Sequence, residues 1–77
     1  MYEATKIQFY ASLQGFYVNK LFTFKIKGMQ QALRIIRQFV DKDNNIHSVF
    51  ITALNYDTGE VINEKQDLEM LLYRALY

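Results

Sequence analysis

Residues 5–11, Thr-Lys-Ile-Gln-Phe-Tyr-Ala, alternate between polar and apolar positions. A period of two places Ile7, Phe9 and Ala11 on one face and Lys6, Gln8 and Tyr10 on the other, which predicts a half-buried strand. Ser12 to Gly15 read as a short hairpin loop, with Gly15 free to take positive φ. The alternation resumes over 16–26. Phe16, Val18, Phe22, Phe24 and Ile26 share an apolar face, and Tyr17, Asn19, Thr23 and Lys25 take the other. Lys20 and Leu21 break the rule, each on the wrong face. A bulge at Asn19-Lys20 repairs it. So does a two-residue turn there, which divides the segment into two short strands. The pattern leaves both open.

The period then changes. Over 28–41, Met29, Ala32, Leu33, Ile36, Phe39 and Val40 recur at i, i+3, i+4, i+7, i+10 and i+11, while Gln30, Arg34, Arg37 and Asp41 line the opposite side. That is an amphipathic helix. Asp43-Asn44-Asn45 ends it, because Asn tolerates the left-handed conformation of C-caps. Residues 46–56 are rich in β-formers and apolar on both faces, which predicts a central strand. Asp57-Thr58-Gly59 is a turn and Glu60-Val61-Ile62 a returning strand. Asn63 with Gln66 three residues on predicts an N-cap pair, and Glu64 and Asp67 suit a helix start. The last helix then runs from about Glu64, with Leu68, Leu71, Leu72, Ala75 and Leu76 as its core stripe. Met70, Tyr73 and Tyr77 form a second apolar edge.

The expected fold is therefore α+β, in the order ββαββα, an antiparallel sheet with two helices packed on one face. One domain fills residues 1–77, as two ββα units over approximately 5–41 and 46–77. The two units look alike as patterns, which is either a weak internal repeat or what two hairpin–helix units produce in any small α+β domain.

Composition narrows the class. The chain has 77 residues, 51% of them hydrophobic, with six Phe and six Tyr. A domain of this size buries only about 60% of the surface that its unfolded chain exposes, and the large aromatic side chains help to offset that limit. Cysteine is absent. Disulfides and thiolate metal sites are thereby excluded, and a small domain without such staples is expected to be cytoplasmic. The first residues lack the basic-then-apolar pattern of a signal peptide, and the apolar runs are too short for a membrane span.

Net charge is +1, but unevenly placed. Residues 1–40 carry Lys6, Lys20, Lys25, Lys27, Arg34 and Arg37 against Glu3 alone, a balance of +5. Residues 41–77 carry Lys42, Lys65 and Arg74 against Asp41, Asp43, Asp57, Glu60, Glu64, Asp67 and Glu69, a balance of −4. Such halves mark a basic binding face, or they attract each other within the fold or across a dimer. The second cause needs no ligand and is preferred.

Candidate chemistry is sparse. Asp57-Thr58-Gly59 matches the Asp-Thr-Gly of aspartic proteases, whose mechanism needs a second carboxylate sharing the proton and hence a dimer. The flanking Asn55-Tyr56 and Glu60 depart from that pattern, and a turn explains every residue. Asp41, Asp43 and Asn45 fit the first ligands of an EF-hand loop, but Ile46 stands where Gly is needed and Thr52 where the bidentate Glu belongs. His47 is the single histidine, and Ser48 beside it faces the other way on a regular strand. Gly15, Gly28 and Gly59 are isolated, so no phosphate loop exists. The sequence predicts no enzyme, no cofactor, no catalytic residue and no metal ligand.

Two surfaces remain. Tyr56, Met70, Tyr73 and Tyr77, with Leu21, exceed what a small two-layer core covers, and Tyr and Met are favoured at protein interfaces. The first expectation is thus a small non-catalytic accessory protein that binds a protein partner, as inhibitor, adaptor or homodimer. The alternative is a nucleic-acid-binding module. The outer face of the first hairpin presents Lys6, Tyr10, Tyr17 and Lys25 with Lys27 at its end, and Arg34 and Arg37 extend the patch if the helix edge lies nearby. Aromatic rings stack on bases and amines meet phosphates.

Overall fold

A computed structural model describes residues 1–12, 19–42 and 44–76. The expected loop at Gly15 and the positions of Phe16, Tyr17, Val18, Asp43 and Tyr77 lie outside the described residues. The elements run β1 (Tyr2–Ser12), β2 (Asn19–Lys25), α1 (Met29–Asp41), β3 (Asn45–Asn55), β4 (Val61–Lys65) and α2 (Leu68–Leu76). This is the expected ββαββα order, folded as one antiparallel sheet with strands arranged β2-β1-β3-β4. The first strand of each hairpin lies centrally, so the two ββα units share a continuous ladder.

Both helices cover the same sheet face. α1 packs on β1 and β3, and α2 on α1 and β3. The core joins Ile7, Phe9 and Ala11 of β1 to Val49 and Ile51 of β3, Ala32 and Ile36 of α1, and Leu71 of α2. Phe9 is fully enclosed. It stacks on Phe22 and Phe24 of β2 at 5.9 and 6.1 Å between ring centres and meets Phe39 of α1 edge-on at 5.0 Å. Such ring pairs contribute about 1 kcal/mol each beyond the area they bury. No helix is long and apolar enough to cross a membrane.

The inward face changes parity twice along the central strands. Ala4 is buried at an even position of β1, whereas Ile7, Phe9 and Ala11 are buried at odd ones. The register explains this. Ala4 pairs Ala53 and Lys6 pairs Thr52, so Thr5 is an extra residue on β1. Further along, Gln8 pairs Phe50 and Tyr10 pairs His47, so the extra residue is on β3. Ser48 fills it at φ 55°, in the left-handed region. These two bulges let Ile46, Val49 and Ile51 all reach the core. The first bulge also hides residues 2–4 from a simple alternation count, and β1 begins earlier than expected.

Three further expectations are corrected. Neither a bulge nor a turn occurs at Asn19-Lys20. Ser12 pairs Asn19 and Ala11 pairs Lys20 in unbroken register. Lys20 is on the helix side but stays exposed at the end of an edge strand, and Leu21 simply points outward. Second, Asn63 does not cap α2. It pairs Thr52 within β4, and the Gln66 N–H donates to the Val49 carbonyl at 2.8 Å, carrying the strand pairing onward. The cap is Asp67, whose Oδ1 accepts from the N–H groups of Glu69 and Met70 at 3.0 and 3.3 Å. Third, Leu76 is 41% exposed and adds little to the core.

The Asp57-Thr58-Gly59 segment is a turn. The Asn55 side-chain carbonyl accepts from the Asp57 N–H at 2.9 Å, Thr58 Oγ1 from the Glu60 N–H at 3.3 Å, and the Asn55 backbone carbonyl from the Gly59 N–H at 2.7 Å. Gly59 takes φ 75°, which glycine adopts without strain. Asp57 Oδ2 also lies 2.9 Å from the Met1 ammonium group. The neighbouring Tyr2 phenol is pushed above its ordinary range, first by its hydrogen bond with Glu60.

Candidate nucleic-acid interface

Residues directly opposite each other in an antiparallel pair share a sheet face. The strand register therefore writes out the face away from the helices row by row. Lys25, Lys6, Thr52 and Asn63 form one row. Thr23, Gln8, Phe50 and Lys65 form the next, and Leu21, Tyr10 and His47 the third. No described element covers this face. Lys6, Lys25 and Lys65 thus point the same way, and the acid among these strand positions is Glu3, opposite Leu54 near the start of β1.

The basic row sets two like charges at opposed positions. Lys6 and Lys25 are direct cross-strand partners, and like charges so placed destabilise each other. Lys27 lies beside them. The Ile26 N–H donates to the Thr5 carbonyl at 3.0 Å and the Gly28 N–H to the Ala4 carbonyl at 2.9 Å, so the chain leaving β2 follows the bulged part of β1. The Lys27 N–H is taken by Gln31 Oε1 of α1 at 2.8 Å. Thr5, Lys6, Lys25, Ile26, Lys27, Gln31 and Thr52 together line an open depression of about 720 Å³. Thr5 Oγ1 donates to the Thr52 carbonyl at 3.3 Å.

The aromatic row lies four residues along β1, about 13 Å away at the usual strand rise. Tyr10 and His47 stack at 6.0 Å between ring centres with planes 13° apart. Tyr10 is 41% exposed and Leu21, on its other side, 49%. A flat pair of rings on an uncovered sheet is a surface on which an unpaired base can stack.

The structure divides the residues expected from sequence. Lys6, Tyr10, Lys25 and Lys27 share the open face or its rim. Arg34 and Arg37 do not extend that patch. They line a separate cleft of about 200 Å³ between the helices, with Gln30, Leu33, Arg74 and Ala75, on the opposite side of the sheet. Arg37 is 3.9 Å from Asp41 there. The second expected surface also divides. Met70 and Tyr73 are exposed on α2, Tyr56 is exposed after β3, and Leu21 belongs to the open sheet face.

Sequence reading missed His47, Phe50 and Lys65 as members of the open face. Only the β1–β3 register brings His47 beside Tyr10, and the bulge at Ser48 shifts that register. Among the described residues no cluster of three or more His, Asp or Glu is placed to hold a metal ion. No protein-family model matches the chain, and neither a curated protein nor a solved structure matches it significantly.

Proposed function

We propose that the chain is a nucleic-acid-binding module that works through the open face of its sheet. The observation that carries this reading is the direct pairing of Lys6 with Lys25 on a face that no described element covers. Two lysines at directly opposed strand positions are suited to an anion between them, and Tyr10 with His47 supplies a stacking surface on the same face. The test is a titration of the full chain with mixed-sequence single-stranded RNA and DNA across a range of salt. Binding should weaken as salt rises, by counterion release. Replacing Lys6 and Lys25 by Gln should lower the slope by about 1.4, the share of two single-strand phosphates. No binding at low salt, or an unchanged slope, ends this reading.

A protein-partner reading, including a homodimer, is favoured by one other observation. Met70 and Tyr73 are 67% and 68% exposed one turn apart on α2. Light scattering of the wild type and of Tyr73→Glu tests the homodimer. A dimer that becomes a folded monomer supports it, and a monomeric wild type removes it.

A further inference from the structure

The open face has a direction. Along β1 from Ser12 towards Tyr2 come the Tyr10 stack, then Gln8, then the lysine row, then Glu3. Beyond Glu3 stands the β3–β4 turn, with Asp57 against the Met1 ammonium and Glu60 against Tyr2. A polyanion laid along the face would gain at the lysines and be repelled just past them.

We propose that the depression at the Thr5 bulge seats the terminal phosphomonoester of a single nucleic-acid strand, with the strand running from there towards Tyr10 and His47. This rests on the nucleic-acid reading above. Three lysines, Lys6, Lys25 and Lys27, line one open depression, and no acidic residue is among its described lining residues. That excess suits a terminal phosphate, which carries a charge of about −1.5 to −2 at neutral pH, better than an internal diester with its single charge. The bulge makes the seat. It adds Thr5 between the rows, and hydrogen bonds to its flanking carbonyls hold Lys27 at the rim. Glu3, the next outward residue past the lysine row, then disfavours passage of the strand beyond the seat. The bases nearest the seat lie over Gln8 and Phe50 and reach the Tyr10–His47 rings.

Competition binding with the full chain tests this. One short mixed-sequence strand is prepared with a 5′-phosphate, with a 3′-phosphate, with hydroxyls at both ends, and as a closed circle. Each competes against the same dye-labelled strand. One phosphorylated form should compete at least about tenfold better than the hydroxyl-ended form, the worth of one charge-assisted hydrogen bond. Which form wins assigns the end. The circle should compete no better than the hydroxyl-ended strand. Lys6→Gln with Lys25→Gln should erase the discrimination, and Lys6→Arg with Lys25→Arg, which keeps both charges, should retain it. Equal competition by all four forms overturns the seat while leaving the nucleic-acid reading intact. No competition by any form at low salt overturns both.

Discussion

The two faces of this sheet are drawn from the same strands, yet they obey different rules. On the covered face, Ile7, Phe9, Ala11, Val49 and Ile51 are buried together in one apolar cluster. On the open face, a lysine faces a lysine and a tyrosine stacks on a histidine. Burial explains the centre of the first face, because apolar area removed from water stabilises the fold. It does not explain the second, where the Lys6–Lys25 pairing works against stability. On the nucleic-acid reading proposed above, that pairing has a use, as a surface for phosphates.

Substitutions matched across the sheet separate the two faces most sharply. Phe9→Ala empties a fully enclosed site and removes the hub of the ring cluster, so urea unfolding should lose about 3–5 kcal/mol. Tyr10→Ala, at the next residue and on the other face, should cost less than about 1 kcal/mol of stability, as one exposed cross-strand pair is lost. Its effect should fall on nucleic-acid binding, by about 1–3 kcal/mol per stacked base. If Tyr10→Ala destabilised the fold as much as Phe9→Ala, the division of labour between the faces would be wrong.

The layer that covers the inner face depends on a cap that the sequence pattern misplaces. Asp67 satisfies two N–H groups at the start of α2, a helix of nine residues. So short a helix has little stability of its own and is held by Leu71 and its cap. Asp67→Ala should cost about 1 kcal/mol in thermal or urea unfolding. Asn63→Ala, at the cap position expected from the sequence, should cost a few tenths at most, since it lies exposed within β4. Equal losses from the two would return the cap to Asn63.

Much of the covered face was legible in the sequence, and the reason is periodicity. Ile7, Phe9 and Ala11 alternate, and the α1 stripe from Met29 to Val40 repeats at helical spacing, so each element declares its own inward side. The open face was legible only in part. Lys6, Tyr10 and Lys25 fell outward by the same alternation. Two things could not be read locally. One is which strands become neighbours: Tyr10 meets His47 only because β1 lies between β2 and β3. The other is where the helices sit, which sent Arg34 and Arg37 to the far side of the molecule. Asn63 misled for a related reason. Asn followed by Gln at the right spacing forms a cap only if the chain is free there, and β3 had already claimed that stretch as a strand partner.

The smallest effect tests the device that keeps the two faces in register. Ser48 holds φ 55°, a conformation that costs an L-residue roughly 1 kcal/mol. Its extra position is what allows Ile46 and Val49 both to point inward while His47 stays outward beside Tyr10. Glycine takes that conformation freely, though it also gains freedom in the unfolded chain. Ser48→Gly should therefore stabilise the protein by up to about 1 kcal/mol in urea unfolding, and leave the salt dependence of nucleic-acid binding unchanged. A net loss of stability would mean that the serine side chain itself holds the bulge. The two faces would then depend on a polar contact at that point, and not on backbone geometry alone.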